Sequence, residues 1–250
     1  RTPQDATTLA RAAAMRSLAL EPDLVEALLA LGTLQLWHDW NWAGARASLE
    51  RARQLAPDNP DVMRDYGLLL CLVGELAEAV TQGRRAAALD PLNAMSYLYL
   101  SFSLLALGEL SEAESACRKA LELSPEGLSF RYWLAMVLES QGKREEALAE
   151  ALLDKADWSG LVSTACLYHL LGRSEDSATA LAKLTATSAD TAPFQIAQAH
   201  AVRGEIDDAF AWLERAFDQR DAGVSMVKVC PWFDNIKGHP RWGAFLRKVG

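Results

Sequence analysis

The sequence predicts an all-α solenoid of stacked antiparallel helix pairs, and three ladders of residues carry that prediction. Gly74, Gly108, Gly142, Gly172 and Gly204 recur at intervals of 34, 34, 30 and 32 residues. Pro22, Pro57, Pro91 and Pro125 follow at 35, 34 and 34, and Ala45, Ala79, Ala113 and Ala147 keep a spacing of 34 throughout. A shared period of this length is the mark of one helix pair per unit, stacked in a row. Such a stack presents a long surface instead of a closed pocket, so its default activity is to hold something.

The elements follow in order. Ala10, Ala14 and Pro22 match the second helix of a unit whose first helix is not in the sequence, so residues 1–22 read as the remainder of a preceding repeat. The chain starts at Arg1 without a methionine, which predicts a longer natural chain with a possible upstream domain. Residues 23–221 hold about six pairs: 23–38/42–55, 60–73/76–89, 93–107/110–123, 127–141/143–154, 157–171/173–186 and 191–203/206–219. The second pair shows the logic. Pro60 opens a helix at a first-turn position, where its missing N–H costs nothing. Met63, Tyr66, Gly67 and Leu70 fall at helical spacing, and Gly74 ends the helix in the left-handed conformation that glycine adopts without penalty. Leu76, Ala79 and Ala86 then pack the second helix, and Pro91 stops it. The fourth and fifth units degenerate: Ser159 replaces the terminal proline, Asp154 a packed alanine, and Ser177 stands in an alanine slot. Residues 222–250 leave the period and are expected to cap the open apolar end.

The large–small slots Leu31-Gly32, Tyr66-Gly67, Leu100-Ser101 and Leu134-Ala135, with the alanine and proline ladders, resemble the tetratricopeptide repeat. That resemblance implies a right-handed superhelix, with the first helix of each pair on its concave side. Two further segments narrow it. His38-Asp39-Trp40-Asn41-Trp42-Ala43-Gly44-Ala45 resembles the D-W-x-W-x-x-A turn of repeat regions in multidomain bacterial signalling proteins. The ending, from Trp212-Leu213 through Arg220-Asp221, Lys228 to Pro231, Phe233-Asp234 and Pro240-Arg241-Trp242, is similar to the close of those regions. Cys230 stands where an acidic residue is usual there. The resemblance implies a cytoplasmic module linked to a winged-helix, cyclase or kinase domain.

Composition narrows the function classes. A net charge of −8 and a pI near 5.1 speak against a direct grip on nucleic acid. No apolar run reaches the roughly 18 residues a membrane span needs. Cys71, Cys117, Cys166 and Cys230 form no CxxC pair, so they read as reduced core residues, and no metal or other cofactor is expected. His38, His169, His200 and His239 fall in different units without H-x3-H spacing. No nucleophile elbow or phosphate loop occurs, and no catalytic constellation is found, so an enzyme is not expected.

What is expected is a groove. Aligned rows on the first helices run Arg64, Leu98, Tyr132, Val162, Phe194, then Leu68, Phe102, Met136, Cys166, Gln198, then Cys71, Leu105, Glu139, His169, Ala201, with Tyr99 and Trp133 alongside. An aromatic, methionine-containing wall suits an extended apolar or amphipathic segment. Arg64, Leu68, Tyr99, Phe102, Tyr132, Trp133, Met136, Glu139, His169 and Gln198 are therefore the candidate partner-binding residues, with a protein or peptide as partner. Several of these rings are expected to stay accessible. A carboxylate clamp of the kind found in chaperone-binding relatives lacks its donors here. A small-ligand sensor and an oligomerisation scaffold are the alternative readings. Trp37, Trp40 and Trp42 read as a local mini-core closing the elongated turn, and Trp232, Phe233, Trp242 and Phe245 as the seal of the last pair.

Overall fold

A computed structural model describes residues 3–127, 129–155 and 158–250. Residues 1–2, 128 and 156–157, which include parts of the first segment and of the predicted helices 127–141 and 157–171, lie outside it. The described residues form helices without a strand. Helix α1 (Pro3–Leu20) precedes six pairs. These are α2/α3 (Val25–Leu34/Trp42–Leu55), α4/α5 (Pro60–Val73/Leu76–Leu89) and α6/α7 (Ala94–Leu107/Leu110–Leu123). They continue as α8/α9 (Phe130–Ser140/Arg144–Leu153), α10/α11 (Ser159–Leu170/Ser174–Ser188) and α12/α13 (Pro193–Val202/Ile206–Asp218). Two 3-10 turns, Ala222–Met226 and Pro231–Ile236, lead to α14 (Pro240–Val249).

The ladders act as local chemistry requires. Each ladder glycine has positive φ, from 74° at Gly204 to 91° at Gly74, and so ends a first helix in the left-handed region. Asn59 and Asn93 cap the helices that follow them, the Asn59 side-chain oxygen accepting from the N–H of Asp61 at 2.9 Å and of Val62 at 3.3 Å. Ala45, Ala79, Ala113 and Ala147 are completely buried because the paired helices run too close for more. At Gly67 an added Cβ would lie 3.3 Å from the Ala79 carbonyl oxygen, which explains the small residue in that slot. In the degenerate fifth pair the hydroxyl of buried Ser177 finds work. It donates to the Ala165 carbonyl at 2.7 Å and accepts from Arg203 at 2.7 Å.

Two boundaries differ from expectation by three residues or more. The first helix does not run to residue 38: α2 stops at Leu34 and a π-turn, Gln35–Asp39, follows, closed by Trp40 at φ 52°. The extra residue in that turn is absorbed as a wider helical turn. Helix α8 starts at Phe130 instead of 127, because Ser129 sits at φ 62° and cannot continue a right-handed helix.

First helices touch the first helices of neighbouring pairs, as α4 with α6, α8 with α10 and α10 with α12. Each second helix packs instead on the first helix of the next unit. The first helices thus line the inner wall. On the outside, ion pairs link consecutive units: Arg46 to Glu75 at 2.5 Å, Arg84 to Glu112 at 2.5 Å, and Arg118 to Glu146. These are exposed and contribute little each.

One stability test arises here. Gly108 lies at φ 89° and an added Cβ would meet nothing within 4 Å. Gly108→Val is therefore expected to cost about 1–3 kcal/mol, all of it backbone strain. Thermal unfolding of the variant checks this; an unchanged melting temperature refutes the strain.

Candidate functional site: an inner wall filled by the chain's own strap

The inner wall is aromatic, as the rows predict, but the expected accessibility is not met. Tyr132 is 3% exposed, Trp133 9%, and Leu68, Phe102, Met136 and Gln198 are buried as well. Tyr99, Glu139, His169 and Arg64 are half-buried. At Tyr132 and Gln198 the cause is residues 222–236, which do more than cap the last pair: they run as a strap along the first helices. Ser225 Oγ donates to the Leu36 carbonyl at 2.9 Å, across 189 residues of sequence. Lys228 and Val229 of the strap, with Lys237 just after it, line one cleft with Val73, Gly74 and Ala106 at the ends of α4 and α6. Trp232 meets Tyr132 edge to face at 5.4 Å, and Asn235 donates to the carbonyls of Ala201 and Val202 at the end of α12.

A polar knot sits at the centre. Gln198 Nε2 donates to the Tyr132 hydroxyl at 2.7 Å and to Cys230 Sγ at 2.9 Å, all three groups being buried. The Tyr132 hydroxyl and Gln198 Oε1 are 2.9 Å apart. Burial pushes the Cys230 thiol up to about 12, against which the Gln198 contact works, and raises the Tyr132 phenol well above its usual range. Both groups therefore stay neutral and hydrogen-bonded at neutral pH. A neutral thiol at 230 accepts from Gln198 without bringing a buried charge into the knot. Around the knot, Tyr132 packs on Trp133 and Trp158, and Trp133 on Phe102 at 4.0 Å.

The two ends of the array also meet. Trp40 packs on Phe217 of α13 at 5.0 Å, with Arg220 over the indole at 4.7 Å. Trp42 Nε1 donates to the Val249 carbonyl at 3.0 Å, 207 residues away. Trp40 and Trp42 thus close on the opposite end of the chain and not on a local mini-core, whereas Trp37 lies at the Tyr99 hydroxyl. The expected C-terminal seal divides likewise. Phe245 packs on Phe217, while Trp232 enters the groove. Asp221 pins the start of the strap: its carboxylate accepts from Gly223 N at 2.8 Å and from Phe194 N at 3.1 Å. Burial, the larger influence, nonetheless raises its carboxyl above the usual range.

Sequence reasoning missed the strap, although a signal was present. Val224, Met226, Val227, Cys230, Trp232, Phe233 and Ile236 form more apolar surface than one helix end can cover. The remaining candidates lie apart. Glu139 is raised by burial, partly offset by Arg144, and faces the charge of Asp234 on the strap. Arg64 is at the N-terminal end of the wall, away from the knot, its guanidinium between Asp61 and Asp65. All four cysteines are buried thiols. His200, Glu205 and Asp208 draw their ligand atoms within 4.8 Å at the α12–α13 turn. There Glu205 is already held by His200 at 2.6 Å and Arg203 at 2.8 Å, a charge-paired helix start.

Stacked helix pairs with an inner wall of first helices define the class of protein, a helical-repeat solenoid. Residues 40–94 and 100–160 match the tetratricopeptide repeat family, and the matches together with the fold support a tetratricopeptide-repeat protein. Among solved structures, a tetratricopeptide repeat protein from Parabacteroides merdae is similar at 16% identity and a TM-score of 0.64, over 93% of this chain and 93% of that one. A thermophilic repeat protein of Thermus thermophilus is similar at 20% identity and a TM-score of 0.61, over 75% and 99%. PilF of Pseudomonas aeruginosa is similar at 18% identity and a TM-score of 0.57, over 73% and 85%. No curated protein matches the chain in sequence. Among the described residues no helix is long and apolar enough to cross a membrane.

Proposed function

We propose that the chain is a non-catalytic protein-interaction scaffold whose concave wall receives an extended segment of a protein or peptide. The observation that carries this reading is the strap itself: the wall already holds an irregular apolar segment through edge-to-face rings and one buried glutamine. A wall built to take one such segment has the chemistry to take another, either beside the strap or in exchange for it. Trp232 occupies the aromatic centre that a small ligand would need, which weighs against the sensor reading. The resemblance of the ending to signalling-linked repeat regions supports a place in a larger, cytoplasmic bacterial regulatory protein, with an upstream domain as one partner.

The test is selection of random peptides on the intact chain, followed by amide-exchange footprinting of the bound state. Protection is expected on the first helices. A footprint confined to the second helices refutes the groove, and failure to select any binder refutes the scaffold.

A further inference from the structure

Between Leu36 and Trp42 the chain touches five separate elements. The Leu36 carbonyl accepts from Ser225 of the strap, Trp37 lies at the Tyr99 hydroxyl of α6, and Asp39 is paired with α1. Trp40 packs on α13, and Trp42 bonds to the last turn of α14. This meeting point is also strained. Among the described residues three other than glycine have positive φ: Trp40 at 52°, Ser129 at 62° and Arg220 at 55°. A left-handed backbone is costly for a residue with a side chain and persists only where surrounding contacts hold it. Two of the three lie on each other, with the Arg220 guanidinium 4.7 Å above the Trp40 indole. The indole N–H of Trp40 is buried as well and meets no acceptor among the described residues. The contact is closed at a cost on both sides, and it stands where α13 passes into the strap. Asp221 follows Arg220 directly and is held by the N–H groups of Gly223 and Phe194. On the other side α1 holds the turn. Arg11 donates from Nη1 and Nη2 to the two carboxylate oxygens of Asp39, at 2.7 and 2.8 Å, one residue before Trp40. Both side chains are half-buried, and two parallel bonds fix the carboxylate in direction as well as position.

We infer that Trp40 and Arg220 form a strained clasp that Arg11 holds shut, so that α1 controls the strap's hold on the inner wall. With the Arg11–Asp39 pair in place, the turn keeps Trp40 under Arg220 and the Leu36 carbonyl on Ser225. With the pair broken, the turn relaxes toward ordinary dihedrals, the stack separates, and the strap is freed at its first turn. A binding event on α1 that draws Arg11 from Asp39 therefore loosens the strap. By linkage, a partner that stabilises the seated strap tightens the hold on α1. Release of the strap is read without any partner, so a failed peptide selection leaves the clasp standing, and a failed clasp leaves the scaffold reading standing.

Amide exchange of the intact 250-residue chain, resolved by segment, tests this. Arg11→Met removes the charge and keeps most of the side chain's length. Exchange across residues 222–236 is expected to quicken about fivefold, the factor equal to about 1 kcal/mol, while α4 to α9 keep their protection. Asp39→Asn, which leaves α1 as it is, is expected to act in the same direction. Arg51→Met is the control: it breaks another two-bonded pair at the same end of the array, Arg51 with Asp23, and is expected to leave the strap unchanged. Strap exchange unaltered in Arg11→Met and Asp39→Asn overturns the clasp. So does quickening confined to α1 and α2, or equal quickening in the control. Should Arg11→Met melt early, Asp39→Asn decides alone, and equal quickening in every helix counts against the clasp.

Discussion

A chain ending at Asp221 is expected to lose its cooperative unfolding transition and to self-associate. Removal of residues 222–250 takes away Phe233, Ile236 and Phe245, all nearly or fully buried, together with Trp232 and Met226. Burial of such side chains contributes about 1.5–3 kcal/mol each. Together these approach the whole stability of an ordinary domain, about 5–15 kcal/mol. The loss is also uncompensated on the other side. Tyr132 would lose Trp232 along the inner wall, Leu36 would lose the Ser225 hydrogen bond, and Trp42 would lose the Val249 carbonyl. A merely terminal cap predicts fraying of α13 alone. A tail that crosses the array predicts loosening at both ends, because Ser225 of the strap ties Leu36 and Val249 of α14 ties Trp42 to the far end. Amide exchange resolved by helix distinguishes them: faster exchange in α2 and α3 supports the strap, and protection there equal to that of the intact chain contradicts it.

Tyr132→Ala is expected to destabilise the fold by about 3–5 kcal/mol, the range for truncating a large buried aromatic residue. Part of this is the cavity among Trp133, Trp158 and Trp232. Another part is the buried amide of Gln198, which keeps only its Cys230 contact once the phenol is gone. An unpaired buried polar group costs about 1–3 kcal/mol. Tyr132→Phe separates the two, since it keeps the ring and deletes the hydroxyl. Chemical denaturation of both variants gives the answer. A Tyr132→Ala loss below about 1 kcal/mol contradicts the packing described here, as it is what an exposed ring gives. The ring therefore acts as an anchor for the strap, and its effect on partner binding passes through the strap's release.

The helix pairs were legible because each of their signals is local. A glycine at positive φ, an asparagine cap or a proline after a helix acts within four or five residues of itself, and repetition at one period makes weak signals add. The same reasoning located the first helices and the aromatic rows on them. It erred at the turn Gln35–Asp39 and at Ser129, where the backbone leaves the standard helix for reasons set by neighbours. It erred most in the groove. Tyr132, Phe102 and Trp133 read the same in sequence whether water, a partner or the chain's own tail covers them, because an apolar residue specifies that it will be covered and not by what.

The amino-acid sequence by itself determined the repeat, its length, the helix boundaries to within a few residues and the aromatic character of the inner wall. Only the tertiary structure decided that residues 222–236 lie along that wall and that Trp40 and Trp42 close on the opposite end. Those contacts join residues up to 207 positions apart. They depend on the accumulated curvature of six pairs, in which a small rotation per unit decides whether the two ends meet. No single residue encodes that curvature; it emerges from the packing of every pair on the next.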